Sequence, residues 1–226
     1  MKWRNGVSYE GLWRAGDFHG AGYERQANGN VYAGEYRAGM REGKGRFVYA
    51  NGEQYDGEWK ANRYHGNGVL RWTGNSFYDG EFVDGKFHGE GLLQQPGLIY
   101  QGAFIKGEKH GKGVLIHRDG TRYEGIWDAQ MLGGVAKVEW PQGSYEGEVR
   151  GGRFHGKGEL RYRNGQSYQG EFANGLRHGV GRMCHPARCF ESPRNCYPAW
   201  CQASRWTEDQ EREPVNVFTF VKPKPQ

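Results

Sequence analysis

Long apolar runs are missing from this 226-residue chain, whose hydrophobic residues make up only 36%. No stretch approaches the roughly 20 apolar residues that a bilayer-spanning helix needs. Met1-Lys2-Trp3-Arg4-Asn5-Gly6 is not followed by the apolar core of a signal peptide, so a soluble, intracellular protein is expected. Cysteine is absent before residue 184. Also missing are the G-x-S-x-G elbow of serine hydrolases, the G-x-x-x-x-G-K-[ST] phosphate loop and the H-E-x-x-H zinc helix, so no catalytic residues are assigned and no enzyme is predicted. The excess of 31 basic over 26 acidic side chains gives a net charge of only +5. No basic groove stands out, and nucleic acid is not an expected partner.

What the chain has is glycine, 39 residues of it, and aromatic residues at 15%. Both recur with a period. Tyr9, Tyr32, Tyr55, Tyr78, Tyr100, Tyr123, Tyr145 and Tyr168 follow one another at steps of 22 or 23 residues, each with a glycine two positions later. Two positions further stand Trp13, Tyr36, Trp59, Phe82, Phe104, Trp127 and Phe172, with Val149 as the exception. Units such as His19-Gly20-Ala21-Gly22 and His155-Gly156-Lys157-Gly158 continue into a second alternating stretch. Asn-Gly or Asp-Gly then precedes the next tyrosine.

Alternation with period two is the mark of a strand, and the glycine-rich breaks are turns, so each unit reads as a β-hairpin. The predicted fold is all-β: an elongated, single-layer antiparallel β-meander of about sixteen strands, a twisted ribbon with a small irregular C-terminal cap. With strands about 4.8 Å apart, eight hairpins give a body of about 75 to 80 Å.

The pattern Tyr-x-Gly-x-Trp-x-x-Gly-x-x-x-Gly-x-Gly resembles the MORN repeat (Membrane Occupation and Recognition Nexus), over residues 9–183. Asn62 and Gln130 replace the mid-unit glycine, and Leu132-Gly133-Gly134-Val135-Ala136 makes the sixth unit the least regular. Residues 1–8 read as the closing strand of a partial unit, either a native edge or the end of units upstream. The resemblance implies a non-enzymatic protein-interaction scaffold that organises cytoskeletal or membrane-cortex assemblies. The expected location is cytoplasmic, on the cytoskeleton or at the cortex. Family members have been proposed to bind phosphoinositides, and the alternative is therefore a peripheral membrane adaptor for anionic phospholipid.

Composition changes near Cys184, and residues 184–226 form a separate cap or tail. All glycines precede residue 182, while six of the eight prolines follow it. Residues 204–212 read as a short helix with Thr207 and Gln210 as a capping box, and residues 215–221 as a strand. The tail either covers the last hairpin or seeks a partner. Cys184, Cys189, Cys196 and Cys201 leave three readings open: packed thiols, a structural zinc site, which is the one cofactor candidate, or disulfides. His19, His65, His88, His110, His155 and His178 recur at one place in their units. Neighbours about 10 Å apart cannot share one ion, so bonding to nearby backbone is expected, with a pH-sensitive loop as the alternative.

On the face opposite the aromatics, first strands carry acids such as Glu35, Asp56, Glu58, Glu81, Glu148 and Glu171. Second strands carry bases such as Arg46, Arg71, Lys137 and Arg161, and cross-strand pairing is expected. Leu92, Ala103, Ile105, Val114, Ile116 and Ile126 break this charge pattern, and contiguous apolar groups on an open sheet mark a contact surface. The expected occupants are a protein partner or a second copy in a homodimer; docking of the tail and incidental exposure are the alternatives. A second candidate surface is the groove lined by Trp13, Tyr36, Trp59, Phe82, Phe104 and Trp127, suited to a helix or an extended peptide.

Overall fold

Two kinds of turn set the register. Inside each unit a pair of residues with positive φ joins the strands, as at Ala38 (48°) and Gly39 (75°), the geometry of a two-residue type I′ hairpin. Asn62 (65°) and Gln130 (78°) hold the same left-handed conformation where the other units have glycine. Between units the loop is longer. Gly29 N–H donates to the Gln26 carbonyl at 3.0 Å, and Gln26 N–H to the Asn30 carbonyl at 2.8 Å. The side chain of Asn28 accepts the Asn30 N–H at 3.1 Å, and Asn51, Asp119 and Asn164 accept in the same way. These residues are the Asn and Asp of the repeat's terminal dipeptide, and they lock the turn two residues on.

The computed structural model describes residues 1–185 and the backbone of residues 201–206. Two compact units divide the chain, Met1–His110 and the part from Gly111 onward. The first holds β1 (Ser8–Arg14), β2 (Asp17–Arg25), β3 (Val31–Arg37), β4 (Met40–Val48), β5 (Gln54–Lys60), β6 (Arg63–Arg71), β7 (Phe77–Val83), β8 (Lys86–Gln95) and β9 (Leu98–Ile105). The unit boundary falls inside β10 (Glu108–His117). The second unit continues through β11 (Arg122–Asp128), β12 (Met131–Trp140), β13 (Gly143–Arg150), β14 (Arg153–Tyr162), β15 (Ser167–Ala173), β16 (Leu176–Cys184) and β17 (Cys201–Trp206). Within each unit successive strands pair antiparallel, a meander. Every regular element among the described residues is a strand, as the periodicity predicts.

The core is one face of the sheet, and the tyrosines build it. Gly57 faces Gly68 across β5 and β6, and the Tyr55 ring lies over both. A Cβ on Gly68 would stand 2.5 Å from the Tyr55 hydroxyl, a distance no side chain adopts, so glycine is required there. The phenol donates to the Glu58 carbonyl at 2.8 Å, and Tyr32, Tyr78, Tyr145 and Tyr168 bond alike to Glu35, Glu81, Glu148 and Glu171. Each ring then meets the next unit's aromatic edge-on: Tyr32–Trp59, Tyr55–Phe82 and Tyr78–Phe104 all have centroids 5.2 Å apart. Such pairs add about 0.5–1.5 kcal/mol beyond area burial, so each hairpin draws stability from its neighbour.

The tail departs from expectation. Residues 204–206, assigned above to a helix, belong to β17, which pairs with Gly179–Cys184 of β16. An open edge of unpaired N–H and C=O groups on β16 competes successfully with the local helix signal. Residues 207–212, and the strand expected at 215–221, lie outside the described residues. At the other terminus, Lys2 bridges Ser8, and the Trp3 N–H bonds to the Val7 carbonyl at 2.9 Å.

Candidate functional site

Alternation along the strands puts two different surfaces on the sheet, an inner aromatic face and an outer mixed one. The inner face is less open than the sequence implies. Tyr36, Trp59, Phe82, Phe104 and Trp127 are buried, and of the six groove aromatics only Trp13 is exposed, at 45%. The residue that closes the groove sits nine positions after each tyrosine, directly before the histidine in most units. Phe18, Tyr64, Phe87 and Phe154 stack face to face on Tyr9, Tyr55, Tyr78 and Tyr145 at 3.7 or 3.8 Å. Where that residue is not aromatic it is usually a cation. Arg41 lies 5.2 Å from the Tyr32 ring and Lys109 5.2 Å from Tyr100.

These cations are held differently. Arg41 meets Glu24 at 3.4 Å, and Glu24 also accepts the Tyr36 hydroxyl at 3.0 Å, so the charge is paired inside an aromatic layer. Lys109 is buried, and desolvation lowers its ammonium from 10.5 to about 8. Burial likewise raises the phenols of Tyr100 and Tyr123 to about 12.

The expected pairing of acids and bases across the outer face is met at Arg122 and Glu139, opposite each other on β11 and β12 at 3.8 Å. Other ion pairs run along strands, Glu159–Arg161 at 2.9 Å and Lys137–Glu139 at 2.7 Å, and Arg46 donates to Gln54 rather than to Asp56 opposite it. The fourth residue of the motif has a separate task. A bulge follows the paired glycines, and there the Glu58 carboxylate lies against Gly66 (φ 54°) and accepts the Asn67 N–H at 3.2 Å. Glu35 and Glu148 accept the Lys44 and Lys157 N–H groups in the same way. Glu81 and Glu171 cover Gly89 and Gly179. An anionic acceptor at a kinked backbone makes a strong, charge-assisted bond.

Ile126 occupies this glutamate position in the sixth hairpin. It is 44% exposed, and nothing lies within 4 Å of a Cβ placed on Gly134. Val135, beyond the bulge on β12, is 68% exposed, and Met131 and Ile116 are exposed as well. Val114 is half-buried opposite Glu124. In the first unit, Leu92 and Ala103 are half-buried and Ile105 is exposed, all on the outer face by alternation. Val135, two residues before Lys137 and opposite Glu148, sits on the outer face by plain alternation, a signal the sequence did carry. The outer groove of β13 to β16 is by contrast charged, lined by Glu146, Glu159, Glu171, Lys157 and Arg182.

Cys184 is disulfide-bonded, a state in which its sulfur has no thiolate to offer a metal. Its backbone partner in β17 is Cys201. Cys189 and Cys196 lie outside the described residues. The recurrent histidines contribute backbone: the carbonyls of His65, His88, His155 and His178 accept the phenols of Tyr55, Tyr78, Tyr145 and Tyr168 at 3.2–3.4 Å. No helix among the described residues is long and apolar enough to cross a membrane.

Hairpins that share an aromatic layer within each unit and lean on their neighbours define a β-repeat protein. Its class is set by the ring over the glycine pair and the carboxylate over the bulge. Residues 9–31, 32–54, 55–77, 78–96, 100–122, 145–167 and 168–187 match the family model described as MORN repeat, and the chain belongs to that family. The unmatched stretch holds the sixth hairpin. No curated protein matches the chain. Among solved structures, it is similar to the TCP domain of Drosophila melanogaster SAS-4 in complex with a proline-rich motif of Ana2. That likeness has a TM-score of 0.34 and 12% identity, and covers 88% of this chain and 90% of that one. The TCP10c domain of Drosophila melanogaster Sas-4 gives a TM-score of 0.31 and 15% identity, covering 80% and 94%. At these scores the likeness is too loose to transfer a function.

Proposed function

We propose that the chain is a non-enzymatic protein-interaction scaffold, which uses outer-face apolar groups on a repeat framework to hold partners in cytoskeletal or membrane-cortex assemblies. The observation that carries this reading is Ile126 with Val135: at the bulge of the sixth hairpin, where an isoleucine stands in place of the backbone-binding glutamate, Ile126 opposite Gly133 and Val135 opposite Glu148 are both large, apolar and exposed. Desolvating such groups against a partner is favourable at about 25 cal/mol per Å². Val114 and Ile116 extend the surface in the same unit, and Leu92, Ala103 and Ile105 supply a contact in the first unit. Partners recovered from cell extract on the native protein should be lost with Ile126→Glu, which rebuilds the carboxylate found at Glu58 and Glu148. Light scattering of the same pair reads self-association. Retention of every partner by the variant contradicts the reading. Salt-sensitive pelleting with anionic vesicles, unchanged in the variant, favours a lipid adaptor instead.

A further inference from the structure

Strand β17 occupies a seat shaped for a repeat strand. Where β5 follows β4, Trp59 stands opposite Gly43, Gly57 opposite Gly45, Asp56 opposite Arg46 and Tyr55 opposite Phe47. The joints of β2 with β3, β6 with β7 and β14 with β15 repeat this register of aromatic on glycine and glycine on glycine. The backbone of β17 lies on β16 in the same register, with Trp206 opposite Gly179, Ser204 opposite Gly181, Ala203 opposite Arg182 and Gln202 opposite Met183. Gln-x-Ser-x-Trp therefore stands where other joints have Tyr-x-Gly-x-Trp, without the tyrosine, the glycine or the acid. On the outer face of β16, Val180 is 58% exposed, with Arg205 as its register partner.

A full Tyr-x-Gly-x-Trp strand with a free side lies in the first unit. Among the described strands β1 pairs with β2 alone. On its far side Lys2 bridges Ser8 and Met1 exchanges bonds with Tyr9, so only the start of that edge is covered. Leu12 is 63% exposed and Trp13 45%. The indoles of Trp59 and Trp127 donate to the Gly45 and Gly113 carbonyls of the preceding strand at 2.9 and 3.0 Å. Among the described residues the Trp13 indole has no such acceptor.

We propose that β16 of one chain receives β1 of a second copy in place of β17, a head-to-tail contact that continues the meander from one molecule into the next. In the repeat register, Tyr9 of the second copy lies opposite Met183, Gly11 opposite Gly181 and Trp13 opposite Gly179, and the Trp13 indole donates to the Gly181 carbonyl as Trp59 does to Gly45. The outer face matches as well. Glu10 meets Arg182 and Leu12 meets Val180, so opposite charges pair and two exposed apolar side chains cover each other. A bare sheet edge accepts any strand; these side-chain pairs select this one. The contact joins two different edges, so each added copy offers a free edge to another. It uses neither Ile126 nor Val135.

The test is sedimentation equilibrium of the full chain in reducing buffer, which opens the disulfide at Cys184. Association should grow over a series reaching about 1 mM, the effective concentration of a tethered competitor such as β17. Trp13→Ala should weaken it roughly tenfold, as loss of a central aromatic anchor does. Glu10→Arg and Arg182→Glu should each weaken it about threefold, and a chain carrying both should recover native association. When Leu12→Cys and Val180→Cys chains are mixed and oxidised, those two positions should cross-link. Ile126→Glu should associate like the native chain. No association at the top of the series, no recovery in the double variant, or cross-links that avoid the Leu12–Val180 pair overturns the proposal. Loss of association in Ile126→Glu assigns self-association to the scaffold surface and overturns it too. The charge swap decides even where Trp13→Ala fails to fold.

Discussion

The sixth and seventh hairpins occupy one unit, share one topology and solve the same packing problem with different residues. In the seventh, Phe154 stacks on Tyr145 at 3.7 Å and Glu148 closes the bulge at Gly156. In the sixth, Leu132 stands where Phe154 would, and Ala136 replaces the second paired glycine. The nearest atoms to a Cβ on Gly125 are accordingly Leu132 Cδ1 at 2.9 Å and the Ala136 Cβ at 3.0 Å. Leu132, Ala136 and Val138 are all buried, so the inner face is refilled with aliphatic volume. The outer face is not repaired, because Ile126 cannot bond the backbone as Glu148 does. Inner-face substitutions are thus compensated, while the outer-face substitution leaves an apolar display.

The largest effect that sharpens this contrast is at the glycine pair. Gly68→Ala drives a methyl into the Tyr55 phenol and should cost about 3 kcal/mol by chemical denaturation. Ala136→Gly in the sixth hairpin meets no such constraint and should cost about 1 kcal/mol, mostly backbone entropy. Equal costs would erase the distinction between the two hairpins.

Lys109 gives the next effect, and its sign is fixed. Its folded value is about 8 against 10.5 when exposed, so from about pH 8 to 10.5 the unfolded state binds the proton that the folded state has lost. Stability therefore rises through that window. The buried tyrosines act oppositely: their folded values lie above 10, so stability falls once unfolded phenols ionise. Melting temperature against pH should show a shallow alkaline rise before the decline, and Lys109→Phe should abolish the rise. Gln130→Gly comes last. It relieves a left-handed glutamine and should stabilise by about 0.5 kcal/mol after the added entropy of glycine.

Tyrosine spacing and Asn-Gly turns made the hairpins legible because one residue type recurs at one position. The ring-closing position was hidden for the opposite reason. Phe18, Arg41, Tyr64, Lys109 and Leu132 share no chemistry in a composition sense, only the ability to cover a tyrosine ring. Their common signal is a place, mostly the residue before His-Gly. The glutamates misled because alternation assigns a face but not a bulge, and at the bulge the nearest partner is backbone. Trp13, Tyr36, Trp59 and their successors each lie on the inner face of their own unit, where edge-on contact with the neighbouring tyrosine leaves most of them no open surface.

The central claim is that the sixth hairpin gave up a carboxylate clasp to present Ile126 and Val135. Ile126→Glu tests it most directly when melting temperature and partner recovery are measured on the same preparation. The account predicts a melting temperature equal to or above that of the native chain, with partner recovery lost. A destabilised variant would contradict the clasp, and undiminished recovery would contradict the contact surface.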